Sequence, residues 1–118
     1  MKEFLLLIRA EGDYCEAMPP ELYKAHIKKV GNYIDNLLKA GKLKGAQPLG
    51  MDGMMLSNDK KVFKDGPFIE SKEVIVGYFH ILAKDLSEAR EIAMANPVFE
   101  DTDARIEIRA VKNEEGVG

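Results

Sequence analysis

Two apolar runs constrain this chain more than any other feature: Phe4 to Ile8 (FLLLI) and Val74 to Ala83 (VIVGYFHILA). A strand with one wet face alternates apolar and polar residues. These runs are apolar on both alternating sets, the pattern of strands buried on both faces. Val74 to Ala83 is also rich in β-branched and aromatic residues, which suit a packed, pleated surface. Both strands should therefore be central, and something must cover each side of the sheet they form.

The chain supplies two helices for that purpose. From Pro20 to about Ala40, Tyr23, Ile27, Val30, Ile34, Leu37 and Leu38 recur at spacings of three and four, predicting one apolar stripe. Pro19-Pro20 presets the first turn, and Gly41 stands where a left-handed cap is wanted. A second helix runs from an Asp85 cap to about Ala95, with Glu88 at capping-box spacing and Leu86, Ala89, Ile92 and Ala93 as its stripe; Asn96-Pro97 stops it. Between the helices, Leu43 to Leu49 reads as an edge strand or extended connector. Met54 to Ser57 and Lys61 to Lys64 flank a turn composition and predict a hairpin. The last strand, Ala104 to Val111, alternates Ile106, Ile108 and Ala110 with Arg105, Glu107 and Arg109.

This order predicts an α+β, ferredoxin-like protomer with both helices on one sheet face. Two helices leave the other face bare. A second copy of the chain is the simplest cover, because a two-fold interface buries matching faces, so a homodimer is expected.

At 118 residues, one domain can bury roughly two-thirds of its surface and fold without staples. Residues 1–112 are read as that domain and 113–118 as a polar tail. The single Cys15 cannot form an internal disulfide, and no Cys/His cluster has zinc-ligand spacing. With 17 Lys and Arg scattered among 20 Asp and Glu, a net charge of −3 argues against electrostatically driven binding to nucleic acid or anionic membrane. Phe4 to Ile8 is too short for a signal-peptide core, and no run approaches the ~20 apolar residues needed to span a bilayer. A cytoplasmic location is expected. Phosphate loops, HExxH and the nucleophile elbow are absent from the sequence, and neither cofactor nor metal is expected.

The segment Asp65-Gly66-Pro67-Phe68-Ile69-Glu70-Ser71-Lys72-Glu73, followed by Gly77-Tyr78-Phe79, resembles the signature of YCII-related proteins that carry the DGPF motif. The opening strand, the helix ending at Ala40-Gly41, the Asp85-Leu86-x-Glu88-Ala89 helix start and the Pro97 stop extend the resemblance over nearly the whole chain. It implies a dimeric α+β barrel of ferredoxin-like protomers. It also implies kinship with small enzymes acting on lactones and other small organic molecules, and with proteins that accompany sigma factors. Fold alone does not choose between a small-molecule enzyme or binder, working by lactone isomerase- or dehalogenase-like acid–base chemistry, and a dimeric interaction or regulatory module. Better-defined relatives use a His-Asp pair. Here His26 stands 15 residues before Gly41, a longer gap than that pattern has, and the pair is not carried over.

Candidate site residues cluster at the motif. Asp65 and Glu70 are placed as acid or base, with Lys72 beside them to hold a small organic anion and Glu73 as a further substrate-binding residue; a structural ion-pair network is the alternative. His26 and Tyr33 fall about 40° and 60° from Val30 on one flank of the helix stripe, where they could act together at a pocket edge or simply form an amphipathic margin. Arg9 either holds an anion or pairs with Glu107 or Glu11. His80 shares a strand face with Tyr78 and Leu82, where a hydrogen bond would satisfy it. Met51, Met54 and Met55 either line an adaptable pocket or fill gaps.

Overall fold

A computed structural model describes residues 1–58, 62–65 and 73–112, with 62–65 through their backbone. The elements are β1 (Lys2–Ala10), α1 (Pro20–Lys39), β2 (Leu43–Pro48), β3 (Met54–Leu56), β4 (Val62–Asp65), β5 (Val74–Ala83), α2 (Leu86–Met94), α3 (Val98–Asp101) and β6 (Arg105–Ala110). Four strands form an antiparallel sheet in the order β2-β5-β1-β6, and β3 pairs with β4 as a separate hairpin. This is the ferredoxin-like α+β arrangement, with the hairpin inserted between the second and third sheet strands. The expected turn at Asn58-Asp59-Lys60, the Gly66-Pro67 break and the 113–118 tail fall wholly or largely outside the described residues.

The two apolar runs are the sheet's two central strands, paired Phe4 to Ile81 and Leu6 to Phe79. Phe4, Leu6, Ile8 and Ala10 point into the core with Phe79, Ile81 and Ala83. Leu6 and Ile81 are wholly inaccessible; burying each contributes about 1.5–3 kcal/mol. Both helices pack on this side, α1 through Tyr33 and Leu37 and α2 through Ala89, Ile92 and Ala93. Ile106 and Ile108 join the core from β6, while Arg105, Glu107 and Arg109 face the other way, as the alternation predicts. On that opposite face Leu5, Leu7, Tyr78 and Leu82 are only half-buried.

The helix ends follow their local chemistry. Gly41, at φ 71°, closes α1 by donating to the Leu38 carbonyl while Lys42 donates to Leu37, satisfying two orphan carbonyls. Asp85 caps α2 by accepting from the Glu88 amide at 2.9 Å. Glu88 reaches back to the Lys84 amide, one residue earlier than an ideal capping box.

Two expectations about the helices are corrected. Tyr23, Ile27, Leu38 and Leu86 are exposed, and the buried face of α1 is instead His26, Tyr33 and Leu37, with Val30 and Ile34 partly buried. The helix is rotated toward its two polar-tipped aromatics because each finds a buried partner, which removes the desolvation penalty that would otherwise keep it at the margin. The second correction concerns Asn96-Pro97. It ends α2 but also starts α3: the Asn96 side-chain oxygen accepts from the Val98 amide at 3.0 Å, and Pro97 has helical φ.

Candidate functional site

Helix α3 is one turn long, and it places Asp101 against α1. Thr102 fixes the turn's end, donating from its hydroxyl to the Val98 carbonyl at 2.6 Å and accepting from the Ala104 amide at 3.0 Å. Asp101 Oδ2 lies 2.8 Å from His26 Nδ1, and Lys29 Nζ, one turn along α1, donates to Oδ1 at 3.1 Å. The side chains of His26 and Asp101 are 2% and 7% exposed, whereas Lys29 is 41% exposed and also reaches Glu100.

The hydrogen bond from His26, with help from Lys29, holds the Asp101 carboxyl below its ordinary pKa despite the opposing effect of burial. Asp101 is therefore ionised at neutral pH and can only accept, so His26 Nδ1 carries the proton in the bond between them. In the neutral ring Nε2 is then left with a free lone pair. A carboxylate that orients imidazole in this way sets its tautomer.

The loop 11–19 closes over this pair. Asp13 Oδ1 accepts from the amides of Cys15 and Glu16, shaping a turn that brings the Tyr14 ring edge-on to His26 at 5.9 Å. Burial pushes the Tyr14 phenol up to about 12, with Cys15 and Asp13 adding to the shift; burial likewise raises the Cys15 thiol, which argues against a nucleophilic thiolate there. Tyr14 separates two cavities. One, of about 770 Å³, is a cleft of mixed lining, bordered by Asp13, Glu73, Asp101 and Arg105 as well as Met18, Pro19 and Leu22. The other, of about 170 Å³, has mostly apolar walls and is lined by His26, Val30, Ile34, Phe79 and Asn96. Asp101 thus borders the cleft and His26 the apolar cavity.

Other expected site residues are placed elsewhere. Tyr33 is buried, its hydroxyl donating to the Ile92 carbonyl at 2.6 Å and its ring edge-on to Phe79 at 5.4 Å, so its hydroxyl fastens α1 to α2. Arg9 pairs with Glu107 at 3.3 Å on the opposite sheet face and, with Met51, Asp52 and Met55, borders a third cavity of about 560 Å³. Glu73 lies between that cavity and the larger cleft and forms an ion pair with Arg105. His80 is satisfied by Glu3 at 2.7 Å, and Lys44 bonds the same carboxylate. The backbone of Asp65 pairs with Met54 at the end of the hairpin. The Asp65 side chain, Glu70 and Lys72 lie outside the described residues.

Of the two hydrogen-bonded side chains, only His26 stands among the residues to which the sequence points; Asp101 does not. Asn96-Pro97 reads as a stop, but Asn before a proline with helical φ is also a starting signal, and Val-Phe-Glu-Asp then supplies one turn. Asp101, at the end of that turn, pairs with His26 across 75 residues of sequence. Among the described residues no helix is long and apolar enough to cross a membrane. No curated protein matches the chain. The model of the YCII-related domain matches residues 3–115, and the chain belongs to that family.

Proposed function

We propose that this protein is a cofactor-independent enzyme or binder of small organic molecules, working by acid–base chemistry at His26. One observation carries the reading: a buried histidine, held at Nδ1 by an ionised aspartate, borders an apolar cavity, and the aspartate borders a larger cleft. Imidazole presented in this way can take or give a proton at Nε2, with Asp101 fixing the ring from Nδ1. The Asp65-to-Glu73 signature supports a finer placement among the DGPF-motif proteins. Asp65, Glu70 and Lys72 enter the reading as sequence expectations alone.

The test is a melting-temperature screen of neutral and anionic carbonyl compounds against the wild-type chain and His26→Gln. A compound present at ten times its Kd adds about 1.4 kcal/mol, roughly 5 °C for a chain of this size. The expected result is a stabilising compound whose effect is lost or strongly reduced in His26→Gln. Equal stabilisation of both proteins would refute the placement of the site.

A second reading concerns assembly. Leu5, Leu7, Tyr78 and Leu82 lie on the sheet face away from the helices. They favour a two-fold pairing of sheets between two copies, a dimeric α+β barrel. Sedimentation should show a dimer that Leu7→Lys dissociates. A wild-type chain that sediments as a monomer at micromolar concentration would refute this reading.

A further inference from the structure

Among the described residues, Tyr14 is the one that borders both the apolar cavity and the larger cleft. Its place is set from two sides. Asp13 accepts from the Cys15 and Glu16 amides and so fixes the turn that carries it, and the Tyr14 ring meets the His26 ring edge-on with centroids 5.9 Å apart. Edge-on contact is a favoured aromatic geometry, which holds the ring against the histidine. The His26–Asp101 pair continues the same partition, since His26 borders the cavity and Asp101 the cleft.

The two spaces differ in size and in chemistry. The cavity at His26 has about 170 Å³, and among the described residues that line it there is no lysine, arginine, aspartate or glutamate. An unbalanced charge between such walls is costly, so the cavity suits a neutral group. The cleft has about 770 Å³ and is bordered by several acids and by Arg105. An apolar cavity of about 150 Å³ accepts benzene, and scaling by carbon number gives about 250 Å³ for two fused six-membered rings. The cavity therefore holds one ring but not two, whereas the cavity joined to the cleft has room for both.

We propose that Tyr14 determines ligand size at His26: its ring closes the apolar cavity against the cleft and limits the buried part of a ligand to a neutral group of about one six-membered ring. This rests on the reading of that cavity as the ligand site. Its exposed lining residues, Ile27, Gln47 and Pro48, mark the side from which a ligand enters. A second ring is left on that side in solvent, where it buries no further apolar surface. Without the Tyr14 ring, a longer ligand passes His26 into the cleft and the second ring is buried as well. The limit belongs to the aromatic ring and not to its hydroxyl.

The experiment titrates cyclohexanone and 2-decalone, a ketone of two fused rings, into the wild-type chain, Tyr14→Phe and Tyr14→Ala. Binding is followed through the His26 ring in ¹H–¹⁵N spectra. We expect the wild type and Tyr14→Phe to bind 2-decalone no more tightly than cyclohexanone. In Tyr14→Ala, 2-decalone should gain about tenfold over cyclohexanone, because about four more carbons are buried. The wild-type ratio decides the matter even if that variant folds poorly: 2-decalone bound about tenfold more tightly, with His26 shifted by both ketones, would overturn the limit. The same ratio in wild type and Tyr14→Ala would overturn the role of Tyr14 and leave the site standing. A limit already lost in Tyr14→Phe would overturn its assignment to the ring. No shift of His26 with either ketone at about 10 mM, in any of the three proteins, would overturn both the limit and the site.

Discussion

Replacing Tyr33 with phenylalanine isolates one buried hydrogen bond. The ring is 8% exposed and keeps its edge-on contact with Phe79, so packing is nearly unchanged. What is lost is the hydroxyl's bond to the Ile92 carbonyl. That carbonyl still accepts from the Ala95 amide, though at 3.3 Å, and is not wholly orphaned. The cost should therefore be that of an ordinary net hydrogen bond, about 1 kcal/mol, rather than the ~3 kcal/mol of a fully stranded group. For a chain of this length that is a drop of roughly 4 °C in melting temperature.

The effect should also depend on pH. Burial pushes the Tyr33 phenol from 10.0 up to about 12, with the Asn96 amide opposing. Below pH 10 the phenol is neutral in folded and unfolded chains, and its full contribution is present. As pH rises from about 10 toward 12 the unfolded phenol ionises first, and that contribution is lost. The stability gap between wild type and Tyr33→Phe should shrink over this interval, because the variant has nothing to ionise there. Tyr14, whose phenol is pushed up similarly, is common to both proteins and cancels. Chemical denaturation at pH 8 and at pH 11 measures the gap. A variant as stable as wild type at pH 8, or a gap that widens at pH 11, would refute the hydrogen bond as the tie between α1 and α2.

Three further outcomes can be checked by the same means. Asp85→Ala removes the α2 cap and should cost about 1 kcal/mol. Gly41→Ala forces a side chain into positive φ and should cost about the same, visible as a lower midpoint with unchanged slope in urea. Acid should destabilise the protein below about pH 4. Asp101, Glu3 and Glu88 are held below their ordinary values chiefly by hydrogen bonds from His26, Lys44 and the Lys84 amide respectively, so their contribution is present above the ordinary carboxylate range and lost as pH falls through the lowered values. Asp101→Asn should flatten part of that acid slope in a melting-temperature series, and an unchanged slope would contradict it.

The sheet was legible because its signal is periodic and local. Phe4 to Ile8 and Val74 to Ala83 had to be central, and the alternation of Arg105 to Ala110 assigned each side chain to a face. The edge strand β2 was legible through its glycine and proline. The rotation of α1 was not. An apolar count ranks Ile27 and Leu38 above His26 and Tyr33, and only the partners waiting in α2 and α3 reverse that order. Asp101 lies 75 residues from His26, and no spacing rule within one segment connects them. The one local clue was the Asn-Pro pair, which both ends one helix and begins the next. The Asp65-to-Glu73 segment concentrates its charges within one stretch of sequence, whereas His26 and Asp101 come from two segments far apart in the chain.

Asp101 holds His26, whose side chain lines the apolar cavity, with its Nδ1 protonated. Long-range ¹H–¹⁵N correlation spectra of the imidazole rings read the tautomer directly. The account predicts that His26 in its neutral form carries its proton on Nδ1, and that Asp101→Asn or Asp101→Ala alters that pattern while the His80 ring stays as it was. A neutral His26 protonated at Nε2, or a ring indifferent to both Asp101 substitutions, would contradict it.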